Sequence, residues 1–172
     1  MACACLTGSA ATSLRGDAPG VPQVDFYQLS RDPAEDALAM IARKLLERGE
    51  RLLVVSADPA QLARISDRLW TRRPENFLAH GLAGSPHDAR QPILLSDAVG
   101  PANGASCVAM TDGRWRDEAL GFERAVLLFD NASIDDARGT WRMLDGRDQV
   151  TRNYWKQEDG KWVIAASDNP DK

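Results

Sequence analysis

Apolar strands and amphipathic helices alternate along the chain from residue 24, and this alternation restricts the chain to a small set of folds. Residues 24–29 alternate in polarity and include aromatic side chains, as a strand does. Asp32 and Pro33 then predict a helix start with Asp32 as its cap, and the helical apolar stripe that follows ends at Gly49. Residues 52–55 are continuously apolar, which is typical of a strand buried on both faces of a parallel sheet.

The same signals recur further along the chain. Asp58 and Pro59 predict a second helix start, and an apolar stripe of Leu62, Ile65 and Leu69 follows at helical spacing. Further strands are predicted at residues 92–95, 105–110 and 124–130, a helix at 134–144 with Ser133 as its cap, and a hairpin at 154–163 around Asp159-Gly160. The pattern predicts an α/β fold, a three-layer sandwich with a largely parallel sheet.

The length of 172 residues suits one domain, which we expect to span residues 23–166. Residues 1–22 are predicted to be a disordered leader, or the product of a start codon placed too far upstream, and residues 167–172 a flexible tail. The leader has one arginine and no continuous apolar region, so it is a poor secretion signal.

The net charge restricts the kinds of partner that the protein can bind, and the cysteines indicate the redox state of its compartment. The formal net charge of −4 disfavours autonomous binding to nucleic acid, because phosphates gain no general attraction. No apolar run approaches the roughly 20 residues of a membrane span. Cys3, Cys5 and Cys107 are odd in number and lack metal-ligand spacing, which fits a reducing compartment. We therefore expect a cytoplasmic protein without a membrane partner.

Motifs that would carry chemistry are absent from the sequence. The phosphate-binding motifs Gly-x-Gly-x-x-Gly and Gly-x-x-x-x-Gly-Lys-Ser/Thr do not occur in the sequence. Residues 28–33, which follow the first strand, contain no glycine. His80 and His87 lack a ligand pattern, and His80 is expected to be a hydrogen-bonded turn residue. Asp135 and Asp136 lie in a first helical turn, where the helix dipole explains them. The sequence predicts no catalytic residue, no cofactor and no metal. The alternative is a nucleotide-binding module or enzyme that uses the carboxyl-terminal edge of the sheet.

A cluster of rings and arginines stands at the end of the second predicted helix. Pro74 stops the helix because it lacks an N–H and clashes with the preceding turn. Trp70 and Phe77 flank this turn, where exposed rings usually serve a partner surface, although they could instead cap the core. Arg72 and Arg73 would allow direct nucleic-acid binding with bases stacked on Trp70, which the acidic total disfavours.

A second candidate surface lies on the last predicted helix. Arg138, Trp141 and Arg142 share one helical face, because they are three and four residues apart. Guanidinium groups beside an indole suit an acidic peptide that ends in an apolar residue with a free carboxylate. Long-range attraction is expected from three more cations, namely Arg147, Arg152 and Lys156. The alternative is that Trp141 packs into the core while the arginines pair with acids such as Asp135 and Asp145.

Several stretches together carry a resemblance to a known family. They are residues 25–29, 69–81, 92–95, 137–142 and 154–162, of which the Leu-Trp to His-Gly segment at 69–81 is the most specific. With these stretches the chain resembles the bacterial DNA polymerase III chi subunit family, the clamp-loader accessory subunits, over about residues 24–166. The resemblance implies a mononucleotide-binding-like α/β fold without a catalytic site of its own.

The resemblance also implies partners. Members of the family hold the acidic C-terminal tail of single-stranded-DNA-binding protein, which ends in Pro-Phe, and bind the psi subunit of the clamp loader or, in some bacteria, a helicase. By resemblance, Arg138, Trp141 and Arg142 would form the tail-binding site, and Trp70 and Phe77 the psi or helicase surface. DNA would be contacted only indirectly. Two departures stand out: several acids dilute the basic carboxyl-terminal region, and the hairpin at 154–162 resembles only one branch of the family.

Overall fold

The computed structural model of the protein describes residues 22–71, 77–147 and 149–168. Its strands are β1 (Gln23–Gln28), β2 (Leu52–Val55), β3 (His80–Leu82), β4 (Ile93–Ser96), β5 (Cys107–Met110), β6 (Arg124–Phe129), β7 (Thr151–Glu158) and β8 (Lys161–Ser167). Its α-helices are α1 (Ala34–Glu47), α2 (Pro59–Thr71) and α3 (Ile134–Leu144), and short 3-10 helices span Asp88–Arg90 and Asp117–Gly121.

The eight strands form one sheet in the order β3-β4-β2-β5-β6-β1-β7-β8. The first seven strands in that order run parallel, and β8 pairs antiparallel with β7. Helices α1 and α2 bury apolar residues against one face of the sheet, while α3 and the second 3-10 helix cover the other. The predicted three-layer α/β sandwich with a largely parallel sheet is therefore confirmed.

The hairpin forms where Asp-Gly predicts it. Asp159 and Gly160 both have positive φ angles, 49° and 75°, as a tight turn between antiparallel strands requires. The short strand β3 is a correction, because His80, its first residue, was expected to lie in a turn. A three-residue edge strand with a central glycine has too little alternation to be recognised in the sequence.

Of the three predicted helix caps, one is at another residue and one occupies its position without a capping bond. Pro33 occupies the cap position of α1 without a side-chain bond, and the Asp32 carboxylate instead accepts a hydrogen bond of 2.8 Å from Gln157 Nε2. Ser133 occupies the cap position of α3 as predicted, but its hydroxyl donates to Asp130 and makes no capping bond. Asp58 does act as predicted, since its Oδ1 accepts the Ala60 N–H at 2.9 Å. In both cases the side chain predicted to cap the helix bonds to another residue instead, Asp32 to Gln157 and Ser133 to Asp130.

Some predictions fall outside the described residues. These are the leader up to residue 21, Arg72, Arg73 and Pro74 within 72–76, and the tail at 169–172. At the carboxyl end, β8 continues to Ser167, and the Asp168 N–H donates to the carbonyl of Arg152 at 3.0 Å. Of the helices in the described ranges, none has both the length and the apolar character needed to cross a membrane.

Candidate functional site

Trp141 is anchored on α3 by the helical stripe that faces the sheet. Ala137 and Leu144, one turn to either side, are buried in the same core cluster that Trp141 packs against. The indole meets Phe26 edge-on at 5.1 Å between ring centroids and Tyr154 at 6.2 Å. These contacts hold the Trp141 ring against β1 and β7, and the residue is only partly buried.

Arg152 covers part of this indole. Its guanidinium carbon lies 4.5 Å from the centroid of the Trp141 ring, and its Nη1 donates to the Trp141 carbonyl at 2.6 Å. Its remaining nitrogens donate to the carboxylates of Asp145 and Asp168. The expected long-range attraction from Arg152 is therefore wrong, because the side chain is 6% exposed and two acids neutralise it. Its position as an indole cover was not foreseen from the sequence.

Arg138 and Arg142 flank Trp141 and remain in contact with solvent. The Arg138 side chain is 63% exposed and pairs with the exposed Asp135 at 3.3 Å, an i,i+3 pair that water screens strongly. Arg142 is exposed and makes no ion pair with any residue in the described ranges. We call Arg138, Trp141 and Arg142 the α3 surface. It combines two accessible cations with a fixed, partly exposed indole.

Tyr154 extends the α3 surface on strand β7. Burial raises the pKa of Tyr154, while the charges of Arg138 and Lys156 act to lower it. The hydroxyl donates to Gln28 Oε1 at 2.7 Å. Lys156 pairs with Glu158 at 2.6 Å, so this cation contributes less attraction than its sequence position suggested. The ring of Tyr154 was not predicted as part of the site, because its proximity to α3 depends on strand pairing.

Trp70 and Phe77 form a second surface, which we call the Trp70 pair. Trp70 follows the buried Leu69 on α2, so the turn of the helix carries it away from the core, and it is 46% exposed. Phe77 is 70% exposed, and the two ring centroids are 5.1 Å apart. His80 lies 4.8 Å from the Trp70 ring and is hydrogen-bonded to Ser66 Oγ at 2.9 Å. The prediction of a hydrogen-bonded His80 is confirmed, although the residue begins β3 rather than a turn.

The two surfaces lie apart. The Trp70 pair belongs to α2, on the face of the sheet covered by α1 and near the edge that β3 forms. The α3 surface lies on the opposite face, beside β1 and β7. The structure thus brings Arg138, Trp141 and Arg142 together, and separately Trp70 and Phe77. Two ligands could occupy the two surfaces at the same time.

A cleft of about 670 Å³ opens at the carboxyl-terminal edge of the sheet, where an α/β protein would hold a nucleotide. Four carboxylates and two arginines line it, namely Asp32, Glu35, Asp112, Asp130, Arg31 and Arg64. The backbone N–H groups of Arg31 and Asp32, which follow β1, both point at Gln157 Oε1, at 3.2 and 3.4 Å. The lining is acidic, and the amides that would receive a phosphate are already engaged.

Asp112 at this edge serves a structural role. Its carboxylate accepts hydrogen bonds from Arg116 at 2.7 and 3.0 Å and from the Ala57 N–H at 3.0 Å. Burial acts to raise the pKa of Asp112, but these hydrogen bonds outweigh burial and hold the pKa below its usual 3.8. An acid that stays ionised and is surrounded by internal donors connects β5 to the loop after β2. It is poorly suited to accept a proton from a substrate.

Other reactive groups are inactivated by their surroundings. Cys107 is fully buried in β5, and burial raises the pKa of its thiol to about 12, so it remains protonated and inert. Within residues 22–71, 77–147 and 149–168, no group of three or more His, Cys, Asp or Glu side chains could hold a metal ion.

Comparison with known proteins places these features in a family. The sequence profile described as DNA polymerase III chi subunit, HolC, matches residues 21–152. DNA polymerase III subunit chi of Pseudomonas aeruginosa is 34% identical over 84 residues, which cover 47% of this chain and 58% of that protein. The Escherichia coli protein of the same name is 31% identical over 78 residues, covering 41% of this chain and 53% of its own length. The match therefore spans less than two thirds of these relatives.

Among solved structures, the RNA helicase Prp28 from Chaetomium thermophilum bound to ADP matches with a TM-score of 0.47 and 11% sequence identity. The match covers 72% of this chain and 36% of that one, and it is too weak to define a fold. The family profile covers well over half of the chain and includes both candidate surfaces. The chain belongs to the DNA polymerase III chi subunit family.

Proposed function

We propose that this protein is a non-catalytic accessory subunit of the bacterial replicative DNA polymerase III holoenzyme, acting in the cytoplasm during DNA replication. In this proposal it links the clamp loader to single-stranded-DNA-binding protein by binding that protein's acidic C-terminal tail. The supporting observation is the α3 surface, where exposed Arg138 and Arg142 flank the fixed indole of Trp141 in a chain of the chi family.

Each part of the α3 surface has a role in this binding. Arg138 and Arg142 attract the acidic tail, and a guanidinium can hold its terminal carboxylate with two parallel hydrogen bonds. Arg152 already covers part of the Trp141 indole, so the terminal ring of the tail would pack beside the uncovered part and Tyr154. Charge-assisted hydrogen bonds of about 1.5–3 kcal/mol each, offset by ordering the peptide, give a micromolar affinity that falls with salt.

The test is a calorimetric titration with an acidic peptide that ends in Pro-Phe. We expect Arg138→Ala and Arg142→Ala each to weaken binding about tenfold. Arg43→Ala is the control, because Arg43 is a partly exposed helical arginine, with 38% of its side chain exposed, that lies on α1, across the sheet. Arg43→Ala should change the affinity less than about twofold. Binding by Arg138→Ala that equals the parent protein would remove the α3 surface as the tail site.

The Trp70 pair supports a second protein partner, which we propose to be the psi subunit of the clamp loader or a helicase. Adjacent exposed rings are typical of the residues that dominate binding energy at protein interfaces. Co-purification of the tagged protein from its own cells would identify the partner. Trp70→Ala should release that partner and leave the tail peptide bound, whereas Arg138→Ala should do the reverse. Retention of every co-purifying protein by Trp70→Ala would contradict this assignment.

The alternative function, a nucleotide-binding module or enzyme at the carboxyl-terminal edge of the sheet, is disfavoured by the acidic cleft and its engaged amides. Thermal-shift measurements with ATP, GTP and NAD test it directly, and a saturable rise in melting temperature would revive it. Direct contact with DNA is likewise disfavoured by the acidic chain. Gel-shift experiments with the isolated protein should show little binding to single strands.

A further inference from the structure

A cavity of about 340 Å³ lies between α1 and the β7–β8 hairpin, on the face of the sheet opposite the α3 surface. Three aromatic rings form its walls. Tyr27 and Trp155 are stacked, with centroids 5.6 Å apart and planes 6° apart, and Trp162 meets Tyr27 edge-on at 4.9 Å. The family profile ends at residue 152, so both tryptophans lie beyond the part of the chain that the family defines.

Three cations line the same cavity. Lys44 and Arg48 are exposed residues near the end of α1, and Arg124 stands at the start of β6. Arg48 has only a loose pair, with Glu50 at 3.9 Å, so its charge is available to a ligand. The cavity therefore joins aromatic walls to an excess of positive charge, which excludes a cationic ligand.

A buried carboxylate holds two of these groups in place. Asp25, which has no solvent exposure, accepts hydrogen bonds from Trp155 Nε1 at 3.1 Å and from Arg124 Nε at 2.6 Å. Gln23 and Asn153 donate to the same carboxylate at 2.8 and 2.9 Å. Arg124 is also hydrogen-bonded to the side chain of Tyr27, and because an arginine has five N–H donors, these contacts still leave donors for a further acceptor. Asp25 thus holds the Trp155 ring and the Arg124 guanidinium in place without a ligand.

We infer that this cavity binds a planar aromatic group that carries a carboxylate. The ring packs among Tyr27, Trp155 and Trp162, and the carboxylate meets Arg124 and the exposed cations of α1. The volume is at the lower end of the range of about 300–1,000 Å³ for small-molecule sites, which suits a single ring with a short acidic arm. The partial negative charge at the carboxyl end of α1, which borders the cavity, opposes a phosphate with nearly two negative charges more strongly than a carboxylate with one.

The same chemistry has two sources, a free aromatic acid and the C-terminal aromatic residue of a peptide. The inference does not rest on the proposed tail binding, because the cavity and the α3 surface lie on opposite faces of the sheet. The two sites share no residue, so each can fail alone.

Two-dimensional NMR of the full-length chain tests the inference, with the five tryptophan indole signals as reporters. The probes are N-acetylphenylalanine, its uncharged amide, adenosine monophosphate, and the acidic peptide ending in Pro-Phe. We expect N-acetylphenylalanine to shift the signals of Trp155 and Trp162 saturably below about 5 mM and the amide to bind at least about fivefold more weakly. If the peptide shifts the same two signals in Arg138→Ala, a peptide end is the source; if only the small acid does, a free acid is.

Variants separate the site from general effects. Trp162→Ala should abolish binding, and Arg48→Gln should weaken it about fivefold, whereas Arg43→Gln on the same helix should not change it. The inference would be overturned by unshifted Trp155 and Trp162 signals with every probe. Equal affinity for the acid and its amide, or tighter binding of adenosine monophosphate, would also overturn it.

Discussion

The Nε of Arg124, at the start of β6, donates a hydrogen bond of 2.6 Å to the buried carboxylate of Asp25 in β1. The two residues are 99 positions apart in the chain, and the pairing of β1 with β6 brings them together. Asp25 also gathers donors from β7, so one carboxylate connects three neighbouring strands. This contact ties the middle of the sheet to the hairpin edge.

Asp25→Asn should destabilise the protein strongly. The substitution removes the charge opposite Arg124, whose side chain is only 25% exposed, and it places an amide among donors. Breaking a buried ion pair costs about 3–5 kcal/mol of unfolding free energy, which urea denaturation measures. Asp135→Asn is the matched control, because the Asp135–Arg138 pair is exposed and should contribute less than about 0.5 kcal/mol. Equal losses in the two variants would contradict the importance of the Asp25 contact.

Arg152→Gln should reduce stability more than its surface-like sequence context suggests. The variant loses the contact with the Trp141 ring, the bond to the Trp141 carbonyl and two ion pairs. We expect a loss of about 1–3 kcal/mol, below the full cost of a buried pair because Asp145 and Asp168 can be solvated. Arg142→Gln, an exposed neighbour, should stay within about 0.5 kcal/mol of the parent. If Arg152→Gln left the unfolding free energy unchanged, the contacts of Arg152 would make no net contribution to stability.

Both tyrosines of the chain should ionise late in alkaline solution. Burial, followed by the charge of Asp25, raises the pKa of Tyr27 from 10.0 to about 12, and burial also raises the pKa of Tyr154. Because the folded-state pKa values exceed the unfolded ones, this contribution to stability is complete below pH 10 and is lost as the pH rises toward 12.

Ultraviolet absorbance of tyrosinate measures this effect. In Tyr154→Phe, the single remaining transition should occur at about 12, and in denaturant it should return to 10.0. A folded Tyr154→Phe protein that titrates near 10.0 would show that Tyr27 is hydrated rather than buried.

Two glycines should respond in opposite ways to alanine. Gly139 lies within α3, and an added Cβ would meet nothing within 4 Å, so Gly139→Ala should stabilise the protein by about 0.5–1 kcal/mol. Gly113 has a φ of +72°, and an added Cβ would lie 2.5 Å from Ser133 Oγ. Gly113→Ala should therefore lower the melting temperature while Gly139→Ala raises it. The same direction of change in both variants would contradict this prediction.

Local sequence signals predicted most of the secondary structure, because hydrophobic periodicity and turn chemistry act over a few residues. The alternation of strands and helices and the Asp159-Gly160 turn were predicted from the sequence, whereas the exposure of Trp70 was left open between a partner surface and a cap on the core. The face shared by Arg138, Trp141 and Arg142 likewise follows from helical spacing alone.

Only the tertiary structure decided which side chains contact each other across the fold. Arg152 looked like a solvated cation, yet strand pairing places it on the Trp141 ring between two acids. Gln157, 125 positions from Asp32, accepts a hydrogen bond from the backbone N–H of Asp32 and donates one to its carboxylate. The carboxylate bonds to Gln157 instead of making the predicted cap. The aromatic cavity also requires β1, α1 and the hairpin together. Periodicity determines which face of an element is buried, but contacts between distant residues exist only once the sheet has closed.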